Sequence, residues 1–322
     1  MRPPAAGRDA AAVEAARLEA IRRRNESPER YIEYQRLGGA VLWERIARHM
    51  EPRDARVLEV GCGMGGILLE LAARGMVANG LDRQQYDATA LAAARDYAAR
   101  HGLSARFQLG DAARLPYRDG AFDCVVAASV IEHLDDPGGA LREMARVLKP
   151  GGLAFIDFPL FHGPYGGHID DTIKWPWFQL LPRRRVLERL RARGAVVEER
   201  LYLSLNRITL RRFRRLLGAS GLRVRELRRI HHLTHPGRKL LIGLRDGLRA
   251  RSAPEVLASL AAARADFTPA EALAFPLLAA LVPLSYLPLL EELATTGIRC
   301  VLERERGAAG GRPAPAAVSE SG

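Results

Sequence analysis

Residues 57–66 read VLEVGCGMGG, a short apolar run that breaks into Gly61, Gly63, Gly65 and Gly66. Val57, Leu58 and Val60 suit a strand buried on both faces, and the helix-like ILLELAARG of 67–75 follows at once. Glycines at a strand-to-helix turn accept positive φ and carry no Cβ, so a ligand can lie against bare backbone amides. Gly61, Gly63 and Gly66 also satisfy G-x-G-x-x-G, a dinucleotide fingerprint that does not by itself choose a cofactor.

An acid ends the next apolar stretch. Residues 76–81 read as a second strand with Asp82 just beyond it, close to the roughly 20-residue separation at which a carboxylate meets a ribose diol. Asp82 therefore points to a nucleoside, and both nicotinamide and S-adenosylmethionine enzymes remain open at this stage.

The run 107–158 discriminates between them. In order along the chain, EVGCGMGG (59–66), the acid of GLD (80–82), GDAARLPY (110–117), FDCVVAASVIEHLDDP (122–137) and LKPGGLAFIDFP (148–159) resemble the class I S-adenosylmethionine-dependent methyltransferases of the broad type-11 subgroup. The resemblance covers about residues 54–160, with a weaker match in 205–230. It implies an α/β fold: a Rossmann-like, doubly wound sheet of seven strands, the last antiparallel. It also implies a set of cofactor contacts. Glu59 and the backbone of Gly61, Cys62, Gly63 and Gly65 would face the methionine end of the cofactor. Asp82, with Arg83 beside it, would hold the ribose hydroxyls. Gly110, Asp111 and Ala112 would meet the adenine, and Ser129 would line the path to the sulfonium. Read as a residue, Cys62 suits packing better than nucleophilic chemistry.

At 322 residues the chain can bury a sizeable core, and 48% hydrophobic with 27% charged residues suits a globular protein. Cys62, Cys124 and Cys300 are too widely spaced for a disulfide scaffold or a CxxC zinc site and suit a reducing cytoplasm. The first residues lack a signal-type apolar run, so the expected location is cytoplasmic. The net charge of +12 is almost all arginine. Residues 183–229 hold sixteen arginines against four acids, an excess equal to the whole net charge. Such a field suits an anionic lipid, an acidic or phosphorylated sugar, or simply a solvated face. Nucleic acid fits least, because few aromatics interleave to stack bases.

The order of elements predicts right-handed βαβ crossovers, with strands at 56–60, 76–81, 105–109, 122–128 and 152–158 and helices at 64–74, 86–101 and 137–148. Residues 1–30 read as a mostly disordered or helical extension, and 31–46 as amphipathic helices capping a sheet edge. The methyltransferase core is expected over 31–235, with an aromatic, turn-rich acceptor lid at 159–204. Thr209 is expected to cap a helix, and a sixth strand is expected at 223–230. A helical insertion at 236–296 precedes a last strand at 297–305, and a disordered tail takes 306–322. Within the insertion, 273–290 is uncharged and broken by Pro276, Pro283 and Pro288. It reads as buried packing or as a surface that meets lipid or a lipid-linked substrate at the inner membrane face.

Methyl transfer to a hydroxyl needs a positioned acceptor and a destination for its proton. Glu132 and His133 stand after the fourth strand, and His162, Tyr165, His168, Asp170 and Asp171 stand in the lid. His133, with His168 oriented by Asp171, is the catalytic candidate set. No metal is assigned: His162, His168 and Asp171 match no recognised spacing, and HHLTH (231–235) reads as a polar turn. AASVIEH (127–133) differs from the Asn-Pro-Pro-Tyr type that clamps an exocyclic amine. The preferred reaction is O-methylation of a sugar, glycan precursor or secondary metabolite. An RNA or protein methyltransferase docking through 183–229, a non-catalytic cofactor-binding scaffold and a nicotinamide oxidoreductase are the alternatives.

Overall fold

Seven strands form one sheet in the computed structural model, which describes residues 19–20, 23–83, 89–173, 175–230, 292 and 295–306. The strands are β1 (Arg56–Val60), β2 (Val77–Asp82), β3 (Ala105–Leu109), β4 (Phe122–Ala128), β5 (Leu148–Pro159), β6 (Leu222–Ile230) and β7 (Gly297–Arg304). Their order is β3-β2-β1-β4-β5-β7-β6. β1 pairs in parallel with β2 and with β4, with Val57 opposite Ala78 on one side and Cys124 on the other. β7 runs antiparallel between β5 and β6, with Ile156 opposite Cys300. Chain order reverses between β1 and β4, which is where an open α/β sheet places its ligand crevice.

Helices cover both faces. α1 (Pro28–Ala47), α2 (Gly66–Ala73) and α3 (Thr89–Arg100) lie on one; α4 (Pro137–Val147) and α7 (Leu210–Gly218) lie on the other. The first layer buries Val57, Leu68, Leu69, Tyr97 and Phe155, the second Leu58, Val60, Phe122, Ile131, Met144 and Phe213. Consecutive residues Val57 and Leu58 thus enter opposite layers, as the two-residue period of a strand requires. Hence the apolar runs in β1 and β4 are continuous rather than alternating.

Several boundaries differ from the sequence expectation. Residues 31–46 form one helix instead of two, begun by Ser27, whose hydroxyl accepts from the Arg30 amide, with Pro28 at its first turn. Its Gly38-Gly39 pair does not break it. Gly39 lies where a Cβ would come within 2.8 Å of the Glu70 Cβ, so the missing side chain lets α1 press onto α2. β5 starts at Leu148, ahead of 152, because the Lys149–Gly152 turn is absorbed into an irregular pairing with β4. The lid at 159–204 is less turn-rich than its sequence suggests. After a 3-10 turn at Phe178–Leu180 it forms α5 (Arg183–Arg191) and α6 (Val196–Ser204). Phe161, Ile169, Ile173, Val186, Leu190 and Tyr202 give it a small core of its own. The arginine-rich stretch is accordingly divided among α5, α6, α7 and β6, and part of its charge is paired, as in Arg191–Glu199 and Arg223–Glu303. Thr209 caps α7 through the Arg212 amide. Most of 236–296, including 273–290, and the tail after 306 lie outside the described residues. Among the described residues, no helix is long and apolar enough to cross a membrane.

One arginine ties α1 to the far side of the sheet. Arg45 Nη1 donates to both Asp157 carboxylate oxygens at 2.8 and 2.7 Å, and its Nη2 donates to the Cys300 carbonyl at 2.8 Å. Its side chain is only 11% exposed. Charge-assisted hydrogen bonds of this kind contribute about 1.5–3 kcal/mol. Arg45→Met, which keeps the stem packed on Phe155, is expected to lower unfolding free energy by about that amount in urea titrations.

Candidate active site

The ends of four parallel strands converge on one cleft open to solvent. Its walls are Val60 and Gly61 after β1, Leu81, Asp82 and Arg83 at β2, Gly110–Ala113 after β3, and Ser129, Val130 and His133–Asp136 after β4. Of the residues singled out in the sequence, Gly61, Asp82, Arg83, Gly110, Asp111, Ala112, Ser129 and His133 meet here. Glu59, within β1, and Cys62, Gly63 and Gly65, in the turn after it, do not line this cleft.

The turn explains why glycine is needed. Gly61, Gly63 and Gly65 all have positive φ. A Cβ on Gly61 would also lie 2.3 Å from a Val130 methyl, so the turn after β1 and the loop after β4 could not close together. The Gly63 amide donates to Asp82 Oδ2 at 2.8 Å, which fixes the second strand's acid against the first strand's turn. Asp111 accepts from the Ala113 amide at 2.9 Å and pairs with Arg114. That amide, followed by the Arg114 guanidinium, holds its carboxyl below the usual range. Arg83 pairs with Asp135 across the cleft mouth. Ser129 sits at φ 55°, in the left-handed region, and its amide donates to Asp157 O at 2.7 Å. A non-glycine held there marks a constrained wall of the site.

Glu59 is a buried carboxylate with one oxygen, Oε2, lacking a hydrogen bond. Burial, with Asp82 adding to it, raises its pKa to about 8 against the opposing Leu68 amide. Cys62 is buried against Gly80, and burial raises its thiol pKa, as fits a packing residue. A nucleoside sulfonium fits this donor set. The orphaned Glu59 oxygen calls for a cationic N–H partner, Asp82 and Asp111 stand at adjacent strand ends, and the glycine turn exposes backbone.

Beyond the cleft wall, a 3-10 turn at Ile131–His133 carries Glu132 and His133. His168, from the lid, comes against them. Its Nε2 lies 3.2 Å from Glu132 Oε1, an ion-pair distance without hydrogen-bond alignment. Burial disfavours the charged form of His168, but Glu132 more than offsets it and its pKa is raised. For His133, burial prevails over the pull of Glu132, and the pKa falls to about 4. The carboxylate facing His168 is therefore Glu132, which corrects the expectation of Asp171. Asp171 instead pairs with Arg24, in the segment ahead of α1. His162 is likewise drawn off, to Glu292 at 3.1 Å, so the trio His162, His168 and Asp171 does not assemble. Tyr165 and Asp170 stay in the lid, and His231, His232 and His235 lie outside the described residues.

Asn206 is a residue that no motif signals. Its Nδ2 donates to Ile131 O at 2.7 Å and Leu134 O at 2.8 Å, and its amide donates to Glu132 O at 2.8 Å. It clamps the turn that presents Glu132 and His133. Ser204, at the end of α6, accepts from His133 Nδ1 at 2.7 Å. Only the tertiary fold brings these residues to the loop after β4.

Fold and cleft together define an α/β protein with a cleft at the switch point of its sheet. Residues 58–156 match the family described as a methyltransferase domain. An uncharacterised methyltransferase of Mycobacterium sp. (strain JLS) is 35% identical over 132 residues, 40% of this chain and 48% of that protein. Methyltransferase GfsG of Streptomyces halstedii is 37% identical over 150 residues, 45% of this chain and 51% of that protein. The chain spans about half the length of these curated relatives. A solved structure described as a sarcosine dimethylglycine methyltransferase from Galdieria sulphuraria has the same fold. It superposes with a TM-score of 0.50 over 85% of this chain and 88% of that one, at 18% identity. Residues 58–156, about a third of the chain, are thus similar to the methyltransferase domain family.

A raised pKa gives Glu59 a defined pH signature. The protonated, buried form stabilises the fold fully below its ordinary carboxylate pKa near 4.5, and this is lost as pH rises through about 8. In ligand-free protein, Glu59→Gln is expected to match the wild type in thermal unfolding near pH 4.5 and to exceed it above pH 8. Parallel curves across that range would refute the assignment.

Proposed function

We propose that this chain transfers the methyl group of S-adenosylmethionine to a hydroxyl of a small molecule or glycan. The observation that carries the reading is the meeting of Gly61, Asp82 and Asp111 at the ends of three adjacent parallel strands, within the segment matched by the methyltransferase family. Asp82 would accept from the ribose hydroxyls, Asp111 would meet the adenine amine, and the Gly61–Gly65 turn with Glu59 would hold the methionine end. Bound there, the cofactor would supply an electrophilic methyl and leave as a thioether, and His168, facing Glu132, would be the group to take the proton that the acceptor hydroxyl loses.

The chain's own contribution is mostly placement and exclusion of water. Ser129 and His133 stand on the cleft wall nearest the lid. The lid holds a small apolar core of its own around Phe161, Ile169 and Tyr202, and His168 reaches from the lid toward Glu132. These groups favour an oxygen acceptor entering between the loop after β4 and the lid. Division of the arginines among four elements favours this reading over a continuous docking face for RNA or protein.

Calorimetry with S-adenosylmethionine and S-adenosylhomocysteine tests the cofactor assignment. Wild-type protein is expected to bind both, and Asp82→Ala to weaken binding about 10–100-fold, the worth of charge-assisted hydrogen bonds. Circular dichroism controls for the lost Gly63 contact. Label transfer from methyl-labelled cofactor to a panel of sugars and phenols then tests the acceptor class. No binding of either cofactor form by folded protein would remove the reading.

A further inference from the structure

Among the described residues, Glu132, His133 and His168 are the group whose potential ligand atoms converge, all lying within 4.8 Å of one another. We propose that they form a site for one divalent transition-metal ion of the zinc class, beside the cofactor cleft.

The case begins with what these side chains lack. Glu132 is 2% exposed, and neither carboxylate oxygen has a hydrogen-bond partner; nor does His168 Nε2. Leaving a buried carboxylate and imidazole in this state costs free energy unless a further group satisfies them. A metal ion bound among them would satisfy all three atoms at once. Backbone strain accompanies the arrangement, for His168 is held at φ 52°, where a non-glycine residue is disfavoured.

The tautomer of His133 suits a ligand. Ser204 Oγ donates to the Leu201 carbonyl at 2.8 Å, so toward His133 it can act as acceptor from Nδ1–H. Nε2 then carries the lone pair, and it lies 4.0 Å from Glu132 Oε1. A serine fixing the outer nitrogen of an imidazole is the kind of support that orients metal-bound histidines. Metal–nitrogen and metal–oxygen bonds of about 2.0–2.2 Å in a tetrahedral shell put ligand atoms about 3.3 Å apart. The His168–Glu132 separation of 3.2 Å already meets that spacing, and small side-chain rotations bring Nε2 of His133 in. Two imidazoles and one carboxylate suit Zn²⁺, Co²⁺ or Fe²⁺ better than Mg²⁺ or Ca²⁺, which prefer all-oxygen shells. Three protein ligands leave a coordination position open, as in catalytic rather than structural sites. His133 also forms part of the cleft wall. If the proposed methyl transfer holds, that open position is where an acceptor oxygen would be polarised; metal binding itself does not depend on that reading.

The test uses full-length, untagged protein stripped with a chelator and titrated with Zn²⁺ and with Co²⁺ by calorimetry and visible absorption. One equivalent of each is expected to bind, with a tetrahedral Co²⁺ spectrum. Glu132→Gln and His168→Ala are each expected to weaken binding at least about tenfold. Circular dichroism and S-adenosylhomocysteine binding serve as fold controls. Absence of metal binding in the wild type, or unchanged affinity in both variants, overturns the site. For variants that do not fold, X-ray absorption of the zinc-loaded wild type decides: a shell with two imidazoles supports the site, and an all-oxygen shell overturns it. Metal bound without S-adenosylhomocysteine would refute the methyltransferase reading while leaving the metal site standing.

Discussion

The close approach of Gly61 to Val130 sets the rest of the site. β1 and β4 are neighbours in the sheet, and their following loops must leave in opposite directions at the switch point. The gap between them is small because a Val130 methyl occupies the space a Cβ would take at Gly61. With that space filled, the turn after β1 can present its backbone while the loop after β4 turns sharply into Ile131–His133. Ser129, in its left-handed conformation, immediately precedes Val130, and Glu132 and His133 follow it within three residues.

Acids that look alike in the sequence are handled differently by the fold. Asp82 and Asp111 sit at strand ends and each accepts from a backbone amide, which for Asp111 favours the charged form. Glu59 is buried, and desolvation pushes it toward neutrality. Glu132 is equally buried but has His168 against it, a group that can share its charge. Four carboxylates thus fall into two half-buried groups on the cleft wall and two buried ones. The histidines diverge for the same reason, His133 held neutral by burial and His168 favoured as a cation by Glu132.

Much of the fold was legible in the chain. Continuous apolar runs bounded by glycine turns located the five parallel core strands, and the family motifs implied a doubly wound sheet of seven strands and the acids at 82 and 111. Less legible were features that depend on distant packing. The pair Gly38-Gly39 looks like a break between two helices, yet α1 runs through it because contact with α2 outweighs local propensity. The lid's proline- and glycine-rich start concealed α5 and α6, whose burial comes from Phe161 and Ile169 rather than from the sheet.

The sequence by itself determined the period of the core, the glycine turn and the strand-end acids, because these follow from local sterics and side-chain spacing. Only the tertiary structure decided which carboxylate His168 faces, since Asp171 lies three residues away and Glu132 thirty-six. Arg24 captured the nearer acid, while Asn206 and Ser204 drew the loop after β4 toward the lid. Partners separated so far along the chain meet only when the sheet, its helices and the lid are packed together, and no local pattern of residues encodes that choice.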